Sequence, residues 1–160
     1  MKKPIEVFVG EALKAKNLTL AVAESCTGGL LAHRVTNVPG SSEYFLGGVV
    51  SYANAVKQVV LGVRGGTLAQ HGAVSRQSAL EMARGVRRVL EAQVAVAITG
   101  VAGPGGGSVE KPVGLAWIAV ITPRRERVEC YEWSGDREEN KNSFARAALQ
   151  LLFEELGDQA

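Results

Sequence analysis

The chain has 160 residues, 46% of them hydrophobic and 21% charged, enough to bury a core without disulfides or a structural metal. Its 18 basic and 16 acidic residues leave a net charge of only +2, and 6% are aromatic. That balance argues against a nucleic acid or a membrane surface as partner. The two cysteines, Cys26 and Cys130, are far apart and form no Cys-x-x-Cys pair, so neither a zinc site nor a redox pair is indicated. Met1-Lys2-Lys3-Pro4 starts like a signal peptide, but Glu6, Gly10, Glu11 and Lys14 interrupt the apolar segment such a peptide needs. No apolar run approaches the ~20 residues that span a bilayer. The expectation is a cytoplasmic protein, one domain over residues 1–160, with no metal and no cofactor.

In chain order, Ile5, Phe8, Val9, Ala12 and Leu13 recur at helical spacing, so 5–16 reads as a helix after Pro4. A short apolar run at 18–23 reads as a buried strand. Residues 26–38 read as a helix opened by Thr27-Gly28-Gly29 and stopped before Pro39-Gly40. A strand at 45–52 and a helix at 53–63 follow, then a helical turn within 65–72. Residues 75–91 form a strongly amphipathic helix capped by Ser75. An apolar strand at 94–99 leads into a glycine-rich loop at 100–112. Strands at 113–122 and 128–133 are joined by the short polar stretch 123–127, a hairpin that makes the sheet mixed. Asp136 and Glu139 form a capping-box pair that opens a last helix to about residue 156, with Phe144, Ala148, Leu149, Leu152 and Leu156 inward. This alternation predicts an α/β fold: a three-layer α/β/α sandwich around a mixed, mostly parallel sheet of about five strands.

Sites in such sheets form at the carboxyl ends of strands. Ser25 stands where the first strand meets a helix start, near free main-chain N–H groups that can stabilise an oxyanion. Gly28 and Gly29 allow close approach of a ligand. Taken alone, the turn reads more readily as a helix cap made by Ser25 or Thr27 than as a catalytic element. Cys26 is a rival nucleophile, since a thiol at a helix N-terminus is activated, while a free cysteine is more often a small buried apolar residue. A serine nucleophile needs a base, and neither His33 nor His71 is placed to serve. Lys57 follows the second strand by about one helical turn among Ala53, Val56, Val60 and Leu61, so burial would lower its pKa and fit it for a Ser–Lys dyad. A lysine snorkelling from a buried helix has the same pattern. Tyr52, at the strand end, is placed to orient the lysine or touch substrate. The segment from Thr99 to Ser108 can cradle an anion with its main chain but lacks the Gly-Lys-Ser/Thr of a P-loop. Arg137, opening the last helix, is a candidate phosphate ligand or an exposed cation.

These stretches together resemble a known family. Ala23-Glu24-Ser25-Cys26-Thr27-Gly28-Gly29, Pro39-Gly40-Ser41-Ser42, Val50-Ser51-Tyr52-Ala53-Asn54-Ala55-Val56-Lys57, His71-Gly72-Ala73-Val74-Ser75 and the loop from Thr99 to Ser108 are similar to the C-terminal domain of the competence/damage-inducible protein CinA. Glu110-Lys111-Pro112-Val113-Gly114 and Gly135-Asp136 continue the likeness, which runs over roughly residues 5–155. The resemblance implies a nicotinamide mononucleotide deamidase, releasing nicotinate mononucleotide and ammonia in pyridine-nucleotide recycling. It implies Ser25 as nucleophile, Lys57 as base, and support from Tyr52 and Thr99. Substrate binding then falls to Thr27, Gly28, Gly29, Gly100, Gly103, Ser108 and Arg137. The resemblance also implies a three-layer fold with a mixed sheet and allows a homodimer. Larger members carry an N-terminal domain with pyrophosphatase activity, which is not expected here. The alternative reading is a non-catalytic nucleotide-binding or regulatory module linked to competence or DNA damage.

Overall fold

The computed structural model describes residues 2–157. Five strands, β1 (Leu20–Glu24), β2 (Phe45–Val50), β3 (Val94–Gly100), β4 (Leu115–Ile121) and β5 (Glu126–Glu132), form one sheet in the order β2-β1-β3-β4-β5. The β1–β2 and β1–β3 ladders are parallel, whereas β3–β4 and β4–β5 are antiparallel. The sheet is therefore mixed, as the hairpin implied. Its ladders divide evenly between the two kinds, and only β4 runs against the other strands.

Among the described residues there are six α-helices, α1 (Ile5–Ala15), α2 (Leu30–Thr36), α3 (Asn54–Val59), α4 (Gly65–His71), α5 (Arg76–Val89) and α6 (Arg137–Gly157); α2, α5 and α6 pack on the sheet, α1 against α2 and α6, and α4 against α5. Strand alternation sorts the core into two layers. Leu20 and Val22 of β1, Val94, Val96 and Ile98 of β3, and Ile118 and Val120 of β4 meet α1, α2 and α6 through Leu13, Leu31, Val35, Phe144 and Leu152. The opposite face offers mainly alanines: Ala21, Ala23, Ala95, Ala97 and Ala119. These small residues let α5 lie close, burying Ala79, Met82, Ala83 and Val86.

Local chemistry sets the helix ends. Ser75 accepts the Ser78 N–H at 3.1 Å, capping α5 as its position suggested. The capping box of α6 is reciprocal: the Glu139 N–H donates to Asp136 Oδ1 at 2.9 Å and the Asp136 N–H to Glu139 Oε2 at 2.8 Å. Several boundaries differ from expectation, three of them as follows. Helix α2 begins at Leu30 rather than at residue 26, because Gly28 and Gly29 adopt positive φ angles of 61° and 107° that a helix cannot contain. The third helix stops at Val59, and a turn continues to Gly62, whose φ is 69°. Strand β5 starts at Glu126, so the hairpin connection is shorter than 123–127.

Candidate active site

Register brings the site together. Glu24, the last residue of β1, pairs with Val50, the last of β2, so both strands end at the same level. The next residues continue that pairing: the Ser51 N–H donates to the Glu24 carbonyl at 2.8 Å. Ser25 is thereby set beside the start of the segment leading into α3. One turn into α3, Lys57 returns its side chain to the strand ends and is only 1% exposed.

The Lys57 amine lies 3.0 Å from Ser25 Oγ, 2.7 Å from the Ser51 carbonyl and 3.1 Å from the Tyr52 carbonyl. A protonated amine donates three hydrogen bonds and a neutral one donates two. The two carbonyls can use both N–H groups of the neutral form, which leaves its lone pair facing the Ser25 hydroxyl. Burial pushes the lysine below its usual range, while the nearby Cys26 thiol acts in the opposite direction and is outweighed. The thiol itself is pushed up to about 12, chiefly by burial, so near neutral pH it is an uncharged thiol rather than a thiolate. The structure thus pairs the lysine with Ser25 and leaves Cys26 unactivated.

Glu24 was not singled out by sequence reasoning, yet it organises the turn. Its carboxylate is buried and accepts from Thr27 Oγ1 at 2.7 Å, from the Leu31 N–H at 2.8 Å and from the Ala32 N–H at 3.0 Å. It is the acidic cap of α2, a use of a carboxylate at a helix N-terminus that its place in the motif could have suggested. The Gly28 N–H donates to the Ser25 carbonyl and the Leu30 N–H to the Thr27 carbonyl. Among the described residues, the turn's uncommitted main-chain donors to a ligand are therefore narrowed to those of Cys26, Thr27 and Gly29.

A cavity of about 240 Å³ opens over Ser25 and Cys26, lined also by Tyr52, Val74, Gly100, Gly103 and Arg137. The Arg137 guanidinium spans it, donating to the Gly103 carbonyl at 2.6 Å and to the Tyr52 hydroxyl at 3.2 Å. Ser25, Lys57, Tyr52, Gly100, Gly103 and Arg137 thus converge. Thr27, Gly28 and Gly29 do not line this cavity, and the Thr27 hydroxyl donates to the Glu24 carboxylate that caps α2. Thr99 is buried and donates its one proton to the Ala73 carbonyl at 2.8 Å, so it positions the segment carrying Val74 rather than donating to an oxyanion. Ser108 is exposed and lies outside the cavity, its hydroxyl accepting the Lys111 N–H within its own turn. His33 is exposed and faces Asn37. A larger cleft of about 520 Å³, lined by Phe8, Arg34 and Phe153, contains none of these groups. Among the described residues, no cluster of His, Cys, Asp or Glu could hold a metal, and no helix is long and apolar enough to cross a membrane.

Comparison with known proteins adds an independent line. Residues 2–156 match the family model of the CinA C-terminal domain. A CinA-like protein of Syntrophobacter fumaroxidans is 49% identical over 156 residues, which cover 98% of this chain and 37% of that protein. The chain thus spans a little over a third of such relatives. The nicotinamide-nucleotide amidohydrolase PncC of Escherichia coli is 49% identical over 150 residues, covering 92% of this chain and 90% of that enzyme. A CinA superfamily protein from Klebsiella pneumoniae superposes with a TM-score of 0.93 at 35% identity, covering 96% of both chains. A competence/damage-inducible protein of Agrobacterium tumefaciens gives 0.88 at 40% identity, over 98% of this chain and 99% of that one. With its buried serine–lysine pair at the ends of two parallel strands, the chain belongs to the CinA C-terminal domain family.

Proposed function

We propose that the chain is an amidohydrolase that converts nicotinamide mononucleotide and water to nicotinate mononucleotide and ammonia, through an acyl-enzyme on Ser25. The observation that carries this reading is the 3.0 Å contact between the buried Lys57 amine and Ser25 Oγ. The likeness to an amidohydrolase of nicotinamide nucleotides supports the substrate.

Neutral Lys57 takes the Ser25 proton as Oγ bonds to the carboxamide carbon. The C=O electron pair moves to oxygen, where free main-chain N–H groups of the turn, foremost that of the cavity-lining Cys26, hold the oxyanion. Collapse breaks the C–N bond, and the Lys57 ammonium gives its proton to the leaving nitrogen, releasing ammonia. Water, deprotonated by Lys57, attacks the acyl carbon; the C–Oγ bond breaks and Ser25 regains its proton. Both proton abstractions need an amine that is uncharged at rest, which burial favours. The Tyr52 carbonyl orients that amine, and the Tyr52 hydroxyl with Arg137 bounds the substrate's path. The proposed setting is the cytoplasm, in pyridine-nucleotide recycling, acting on a small molecule alone or as a homodimer.

Ammonia release should be measured with nicotinamide mononucleotide, nicotinamide riboside and nicotinamide. The mononucleotide should turn over fastest. Ser25→Ala should abolish release and Cys26→Ala should retain it. The reverse pattern refutes the nucleophile, and mononucleotide binding without ammonia release favours the non-catalytic module.

A further inference from the structure

The proposed substrate has a phosphate, and Arg137 alone is a poor holder for it, since its guanidinium already bridges Gly103 and Tyr52. Arg137 lines the Ser25 cavity and also two further hollows. One, of about 430 Å³, is lined by Leu30, Arg137, Glu138, Lys141 and Asn142. The other, of about 540 Å³, is lined by Ala102, Pro104, Val113, Gly135, Asp136, Arg137 and Glu138. Charge separates them. The first has two cations against one carboxylate, and the second has one cation against two carboxylates. An anion is favoured in the first and opposed in the second.

We propose that Lys141, one helical turn beyond Arg137 on α6, is the principal ligand of the substrate's phosphomonoester, held in the hollow between the α2 start and α6. This rests on the deamidase reading above. Lys141 is half-buried and makes no hydrogen bond or ion pair among the described residues. It is also near enough to the reacting centre for its charge to act on the Cys26 thiol. A mononucleotide with its carboxamide at Ser25 would pass Arg137 and reach this cation. The lysine therefore confers selectivity for the phosphorylated substrate over its riboside. Glu138, on the rim of the same hollow, opposes the phosphate and moderates its affinity.

The test is calorimetric titration of the Ser25→Ala protein, which holds ligand without turnover, with nicotinamide mononucleotide and nicotinamide riboside. Adding Lys141→Ala should weaken the mononucleotide about tenfold or more, the loss expected for one hydrogen bond to a charged group, and leave the riboside within about twofold. Lys141→Arg should restore most of the difference. Glu138→Gln should tighten the mononucleotide about two- to threefold, a gain that a merely structural role for α6 would not produce. Equal weakening of both ligands by Lys141→Ala, no weakening of either, or failure of the Ser25→Ala protein to bind the mononucleotide overturns the assignment. Failure of the deamidase reading appears separately, as absent ammonia release from the unmutated protein.

Discussion

Glu24→Gln is the most informative single change in the turn, because it keeps the shape and removes only the charge and one acceptor. The carboxylate serves three donors, at 2.7, 2.8 and 3.0 Å, split between its two oxygens. The amide of Gln has one oxygen. If that oxygen keeps Thr27 and Leu31, the amide nitrogen faces the Ala32 N–H, donor against donor. One buried N–H left unsatisfied costs about 1–3 kcal/mol. Loss of the negative charge at the α2 N-terminus adds about 0.3–1 kcal/mol, and more in a buried setting. The sum is about 1.3–4 kcal/mol, which for a chain of this size lowers Tm by about 3–16 °C. The next residue in the chain is Ser25, so slackening the turn also moves the proposed nucleophile relative to Lys57 and should slow ammonia release about tenfold or more. Calorimetric melting and the ammonia assay read the two effects on one preparation. Glu24→Ala, which strands all three donors, should be worse in both. A Glu24→Gln protein that melts within about 2 °C of the parent and turns over at its rate would refute this account of the turn.

Lys57→Met keeps the side-chain length and should reduce turnover by roughly a thousandfold or more, as removal of a general base does. In the parent, kcat/KM should rise with pH through an apparent pKa below the ordinary lysine value of 10.5. Because the folded chain then binds fewer protons at Lys57 than the unfolded chain, stability should also rise with pH in the window below 10.5, a slope that Lys57→Met removes in denaturant titrations. Glu155, buried on α6, accepts from Arg125 at 2.6 and 2.9 Å and from Arg127 at 2.9 Å, and these arginines hold it below the usual carboxylate range against the opposing effect of burial. Its stabilisation is present above the unfolded value near 4.5 and is lost as pH falls through the folded one, so Glu155→Gln should flatten the acid limb of Tm against pH. Gly85→Ala tests packing against propensity: alanine is the better helix former by about 1 kcal/mol, yet its Cβ would lie 1.9 Å from the Leu61 carbonyl oxygen. A fall in Tm is expected, and a rise would show that α5 can draw back from the Leu61 segment.

The parts of the fold that were legible are those where one period dominates. The 3.6-residue pattern of α5 and α6, with Ser75 and Asp136 as caps, placed both helices closely. The region after β1 was not legible, because its helix start depends on two glycines with positive φ and on a carboxylate that precedes them. Glycine permits that conformation without announcing it, and an acid at a strand end reads as an ordinary polar residue. Thr27, Thr99 and Ser108 were grouped with the site because each is a small polar residue in the motifs. The structure separates them by where each hydroxyl is spent: on Glu24, on the Ala73 carbonyl, and on the loop's own Lys111 N–H.

Ser25 and Lys57 lie 32 positions apart, and local pattern favoured a cap for one and a snorkelling cation for the other. What joins them is the parallel register of β1 with β2, invisible in either segment alone. Once Glu24 lies opposite Val50, Ser51 and Tyr52 fall level with Ser25, and their carbonyls sit where an amine one turn later can reach them. A snorkelling lysine would send its amine outward to water. This one is turned inward onto two carbonyls and a hydroxyl, in a place where charge is disfavoured. A fully protonated lysine held there would be a costly structural element, better replaced by an apolar residue. A neutral one uses both of its protons on the carbonyls and has its lone pair left for the serine. The same three contacts therefore account for the lysine's burial and support the role of base proposed for it.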